Sequence, residues 1–203
     1  MSSTRAHTLK WAKAMGLVML GPTPNLPSLV THIAPGLRGA RWWSHPQANE
    51  IYNTYRQIIE DRDIAVAKLV DGKITLLHRK LWPAIIKLVQ DEMWRKKQIG
   101  ALSLTAKSLL DHVESAGSIR LDFLAPDWPR GVTGLKKDRN ILEKKALVMS
   151  RDEHTKTGTH QTVLESWESF RNREHIKVPR GLRREKALEI LKPYLGPRKS
   201  VFE

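Results

Sequence analysis

The dipeptide Asp71-Gly72 constrains this chain more than any other feature. It stands between two β-prone runs, Ile64-Ala-Val-Ala-Lys-Leu-Val70 and Lys73-Ile-Thr-Leu-Leu-His78. A two-residue type I′ turn needs positive φ at both central positions, which Asp tolerates and Gly adopts freely, so the spacing predicts a β-hairpin with its tip at 71–72. A helix is expected just before it, over about residues 46–60, because Ile51, Tyr55 and Ile58 share the spacing of one buried face. Ser44 with Gln47 three residues on reads as a capping box, and Pro46 suits the first turn. A helix followed at once by a two-stranded hairpin is the back half of a winged helix. A further helix is expected over 81–99, with Trp82, Ile86, Val89 and Met93 as its apolar stripe.

A similar order follows Gly100. Ser103 is placed to cap a helix ending near Ala116, with Leu104, Ser108, Leu109 and Val113 inward and Gly117 after its last turn. Ser118-Ile-Arg-Leu121 reads as a short strand, residues 122–124 as a helical turn, and residues 126–134 as a loop with two prolines and two glycines. A helix is expected over 135–146, then strands at 147–152 and 161–165 flanking the loop His154-Thr-Lys-Thr-Gly-Thr-His160. Helix, strand, helical turn, helix, strand, wing, strand is the order of a winged helix-turn-helix. The expected fold class is therefore mostly α with small β-hairpins (α+β), in two winged helix-turn-helix units. The organisation reads as an N-terminal helix (8–20) and Pro-rich connector within 1–35, a variant winged-helix unit over 36–100, a winged helix-turn-helix over 101–167, and a basic C-terminal tail over 168–203.

Lys and Arg number 35 against 21 Asp and Glu, a formal net charge of +14, which points to a polyanionic partner. The chain has no cysteine, which excludes a disulfide scaffold, thiolate zinc and cysteine catalysis. No apolar run approaches the roughly 20 residues a bilayer span needs, so no membrane partner is expected. Residues 1–49 lack Asp and Glu but run straight into a patterned segment, and read as part of the fold rather than as a transit peptide. The expected location is the cytoplasm, on the nucleoid if the source is bacterial. The pattern specifies no oligomeric state.

The helix expected at 135–146 carries the strongest functional signal. Lys136, Lys137, Asn140 and Lys144 fall within an arc of about 100°, with Leu135, Leu142 and Ala146 opposite. Lysines neutralise phosphates and release counterions, and an Asn matches the N6/N7 edge of adenine. The same lysines also suit an ordinary solvated face. Glu143 borders the arc and Asp138 lies farther round, and both are expected to oppose backbone binding. His154, Lys156 and His160 sit where a wing meets the backbone, and Arg38 and Arg41 are further phosphate candidates. Trp42-Trp43 invites base stacking, against which stands the plainer reading that both rings seal the core where a loop enters a helix. The tail cations read as non-specific electrostatics. Two histidines six apart lack a third ligand, so neither a metal nor another cofactor is expected. No His-Glu-x-x-His, Walker A, Gly-x-Ser-x-Gly or Gly-x-Gly-x-x-Gly pattern is present, and no catalytic residue is assigned.

The stretch Gly39-Ala-Arg-Trp-Trp-Ser-His-Pro46, its helix, and the hairpin ending Leu77-His-Arg-Lys-Leu-Trp-Pro83 carry a resemblance. With Glu153-His-Thr-Lys-Thr-Gly-Thr-His160 and Leu164-Glu-Ser-Trp167, the chain resembles a group of uncharacterised bacterial winged-helix proteins over most of its length. Over about a quarter of the chain it also resembles, more remotely, the winged-helix superfamily of bacterial interstrand-crosslink DNA glycosylases. Those glycosylases rely on a Gln-x-Gln motif, which this shorter sequence lacks. The resemblance implies the fold and a DNA partner, and does not carry catalysis over. The leading expectation is a non-catalytic winged-helix protein that binds nucleic acid, duplex DNA before RNA, by backbone contacts from a basic helix and wing. The rivals are a DNA-repair protein related to those glycosylases and a winged-helix protein-interaction module.

Overall fold

The computed structural model describes residues 3–37, 41–154, 160–195 and 201–202. The chain opens with α1 (Ser3–Met15), β1 (Leu17–Met19) and α2 (Leu29–Ile33). Where the sequence reads as one helix to residue 20, Gly16 takes φ 78 and ends α1. Leu17-Val-Met19 then becomes an edge strand. A 3₁₀ turn at Trp42–Ser44 leads into α3 (Ala48–Ile59), followed by β2 (Ile64–Val70) and β3 (Lys73–His78). The capping box is not formed: Ser44 Oγ turns back to the Arg41 carbonyl, and the Gln47 N–H donates to the His45 ring.

The hairpin is as the sequence reads it. Val70 opposes Lys73, and the tip residues Asp71 and Gly72 have φ of 51 and 67. The sheet order is β1-β3-β2, with Leu17 opposite Leu77 and Ile64 opposite His78. The N-terminal segment thus supplies the third strand of this sheet, across the division expected at residue 35. On β2 successive side chains serve opposite faces. Ala65, Ala67 and Leu69 join the large core, whereas Ile64 and Val66 meet a smaller cluster with Ile58.

The helix expected over 81–99 is two helices, α4 (Trp82–Val89) and α5 (Glu92–Gly100). Asp91 divides them because its carboxylate accepts from the Trp94 N–H at 2.8 Å, an N-cap preference that outweighs propagation. Met93, read as part of the stripe, is 78% exposed, and Trp94 is buried instead.

The second half comprises α6 (Leu104–Ala116), β4 (Ser118–Arg120), α7 (Leu121–Leu124), α8 (Gly131–Lys144), β5 (Val148–His154) and β6 (His160–Ser166). Its sheet order, β4-β6-β5, repeats that of the first half. Ser103 caps α6 as expected, accepting from the Ala106 N–H at 3.2 Å, and Gly117 follows at φ 75. Leu104, at the first helical position, is 84% exposed rather than inward. Helix α8 starts four residues earlier than 135, turning in from Arg130 at φ 64. A Cβ at position 134 would lie 2.1 Å from the Pro129 carbonyl oxygen, so Gly134 permits this tight entry into the helix.

Two further helices, α9 (Trp167–Arg173) and α10 (Arg184–Leu195), complete the chain. The segment read as a basic tail is built into the molecule. Phe170, Ala187, Leu191, Leu195 and Phe202 are buried, and α10 packs on α4. The large core is continuous from Leu17 and Leu77 through α4 to Leu110 and Leu164. The fold is mixed α+β, and among the described residues no helix is long and apolar enough to cross a membrane.

Candidate nucleic-acid interface

The solvent face of α8 is built by what its other faces bury. Leu135 and Leu142 enter the core, leaving Val132, Thr133, Lys136, Lys137, Asn140 and Lys144 exposed. The two acids expected to oppose phosphate are both turned away. Asp138 is 4% exposed and accepts from Trp128 Nε1 and Thr105 Oγ1, each at 3.1 Å. Glu143 is 2% exposed, forms an ion pair with Lys68 of β2, and lies 3.7 Å from Arg139 Nε. Among the described residues, the outer face of α8 therefore presents three ammonium groups and one amide without a carboxylate. Lys144 lies against the first hairpin: a Cβ at position 72 would be 2.5 Å from Lys144 Cγ. Its stem follows the β2–β3 tip while its residue remains exposed.

The remaining expected contacts are distributed elsewhere. His154 and His160 form the last rung of the β5–β6 ladder, and residues 155–159 lie outside the described residues. Arg38 and Lys156 lie outside the described residues. Arg41 is exposed on the first half, one residue before the Trp42–Ser44 turn. The two tryptophans divide the roles weighed for them together. Trp42 is half-buried against Val30, Ala34 and Ile51, whereas Trp43 is 63% exposed, edge-on to Trp42 with ring centroids 6.3 Å apart.

A cleft of about 590 Å³ lies between the halves, bounded by α3, β2, α8, β5 and α9. Sequence reasoning missed it. Glu165, 3% exposed, accepts from Arg173 Nε at 3.0 Å and Nη2 at 2.9 Å, with Ser169 Oγ at 3.3 Å. This bidentate pair holds the Arg173 guanidinium above its ordinary pKa. Across the cleft, burial and the nearby Asp152 carboxylate push the Tyr55 phenol up to about 12, so it remains a donor at neutral pH. Arg139 reaches Thr162 Oγ1 at 3.4 Å, and its Nε is buried with no hydrogen-bond partner among the described residues. The signal was faint because these partners lie far apart in sequence. Lys68 and Glu143 are 75 residues apart and follow no spacing rule.

No curated protein and no solved structure matches the chain. The chain belongs to the family described as AlkZ related, whose model matches residues 3–198.

Proposed function

We propose that this is a DNA-repair protein that binds duplex DNA through two winged-helix units, with α8 as the groove-entering helix. The observation that carries this reading is the inward burial of Asp138 and Glu143, which leaves lysines and Asn140 on the outer face of α8. Three other facts support it. Both halves run helix, strand, helix, helix, strand, strand with the same sheet order, and α8 holds the third-helix place that enters the major groove in winged helices. The chain carries +14 net charge. The family is related to AlkZ, and the sequence resembles interstrand-crosslink glycosylases, which favours a repair role over a purely regulatory one. A duplex-DNA partner fits a cytoplasmic location, on the nucleoid if the source is bacterial.

The test is fluorescence anisotropy with a labelled duplex over a salt series. Wild type should bind with a steep salt dependence, and the triple change Lys136→Ala, Lys137→Ala, Lys144→Ala should lower the slope by roughly one unit per lost phosphate contact. Binding by the triple variant as tight and as salt-dependent as wild type would remove α8 from the interface. Base excision is the second reading, favoured by the family alone. Abasic sites that accumulate in alkylated duplex in proportion to protein would establish it, and damage-selective binding without release would assign recognition instead.

A further inference from the structure

The cleft and the proposed DNA face share one helix. Around α8, Glu143 and Arg139 lie about 20° and 60° beyond the Lys136 edge of the cationic arc, so the cleft wall adjoins that arc. The two surfaces differ in charge. Three lysines and no acid stand on the outer face, whereas six basic and six acidic side chains line the cleft. A wall with balanced charge gains little from a phosphate and suits a neutral, planar, hydrogen-bonding group. Its volume, about 590 Å³, falls within the roughly 300–1,000 Å³ of small-ligand sites. Ile59, Val66 and Met149 give it apolar walls.

Arg139 shows which chemistry fits. Its guanidinium has five donors, yet among the described residues it makes one long hydrogen bond, to Thr162 Oγ1 at 3.4 Å, and sits 3.7 Å from Glu143. A guanidinium with donors to spare beside a neutral cavity matches the paired acceptors of a purine edge. Resting on the DNA-binding reading above, we propose that the cleft receives one nucleobase extruded from duplex held on α8, with Arg139 donating to its acceptor edge. The phenol of Tyr55, which stays protonated, lines the same cavity as a second donor.

Extrusion is cheapest for a base already unpaired. The experiment compares a fully paired duplex with one carrying a single 2-aminopurine opposite an abasic-site analogue, using full-length protein. Wild type should bind the second about tenfold more tightly, equivalent to about 1.4 kcal/mol. It should also change the 2-aminopurine emission as the base leaves the stack. Arg139→Gln removes the spare donors, and Ser150→Trp fills the cleft from β5 while leaving every ion pair in place. Both should abolish the tenfold preference and leave affinity for the paired duplex within about twofold. Equal wild-type affinity for the two duplexes, with a lysine-dependent salt slope intact, overturns the cleft proposal and leaves DNA binding standing. The same holds if Arg139→Gln weakens both duplexes alike and lowers the salt slope, since Arg139 is then a phosphate contact. Failure of wild type to bind either duplex overturns both.

Discussion

At Gly72 two constraints coincide. Its φ of 67 belongs to the left-handed region, and Lys144 lies against the space a side chain would take. Gly72→Val should destabilise the protein by roughly 1 kcal/mol or more, whereas Gly72→Asn should cost less, because Asn tolerates that conformation and Lys144 can swing aside. Urea midpoints at constant m-value measure the difference, and equal losses for both variants would put the cost in Lys144 rather than in the turn. Two histidines set a second expectation. His32 stacks on Trp11 at 3.8 Å, and burial, then the charge of His7, holds its pKa below the ordinary 6.5. Burial first, then Lys80, Lys13 and Arg79 against a counteracting Asp63, lowers that of His78. His78 also caps the following turn by accepting from the Lys80 N–H. Between the folded and unfolded values the unfolded chain binds more protons, so stability is fully present above about pH 6.5 and falls as pH drops through that value toward the folded ones. His32→Gln combined with His78→Gln should flatten the urea midpoint between pH 7.5 and 5, relative to a wild-type decline; parallel curves would exclude these groups as the cause. Residue roles were legible only where they depend on local chemistry. Asp71-Gly72 announces positive φ by itself, but the pairing of Trp128 with Asp138, or of Glu143 with Lys68, depends on the tertiary fold.

Elements were readable where one local preference acts alone. The β2–β3 hairpin and the Ser103-capped α6 emerged as expected, since turn chemistry and side-chain alternation agreed there. Where preferences competed, the sequence misled. Trp82 to Met93 carries a continuous helical stripe, yet Asp91 and its bond to the Trp94 N–H divide it. Leu17-Val-Met19 continues the pattern of α1, but the free edge of β3 makes it a strand. The cationic arc of α8 could be placed from spacing alone. That Asp138 and Glu143 leave it uncovered could not, because their partners sit on other elements. The arc carries a sharper expectation than general affinity. Replacing Asn140 by Ala should cost about 1–3 kcal/mol on a preferred sequence and leave non-specific affinity nearly intact, whereas each lysine change should weaken all sequences alike. Selection of bound duplexes from a random pool, followed by anisotropy on the enriched site and on a scrambled one, separates the two behaviours. Uniform weakening by Asn140→Ala would reduce α8 to a backbone contact.

Over the whole molecule, the expected subdivision into connector, two units and tail conceals one large core to which all four segments contribute. The basic charge of residues 168–203 masks Ala187, Leu191 and Leu195, whose spacing of four places them on one helical face against α4. Phe202 then closes the interior by packing on Trp94, with ring centroids 5.4 Å apart, while Trp94 Nε1 donates to the Val201 carbonyl at 3.0 Å. Helix α4 stands between the halves, and the large core passes through it from β3 to α6. Tandem units joined by a linker unfold in separate steps, each answering only to its own substitutions. Here the halves share buried side chains, the Lys68–Glu143 pair and the β2–β5 contact, so unfolding one half strips apolar surface from the other. The protein should therefore unfold in one transition, with calorimetric and van't Hoff enthalpies equal. Leu77→Ala in the first half and Leu110→Ala in the second, both at positions 1% exposed, should each cost about 2–5 kcal/mol and move the whole transition down together. Scanning calorimetry, with far-ultraviolet circular dichroism as a second probe, reads the outcome. Two resolved steps, with Leu77→Ala shifting one and Leu110→Ala the other, would mean that the halves are independent units in loose contact. The cleft between them would then lack the fixed geometry on which a nucleobase pocket depends.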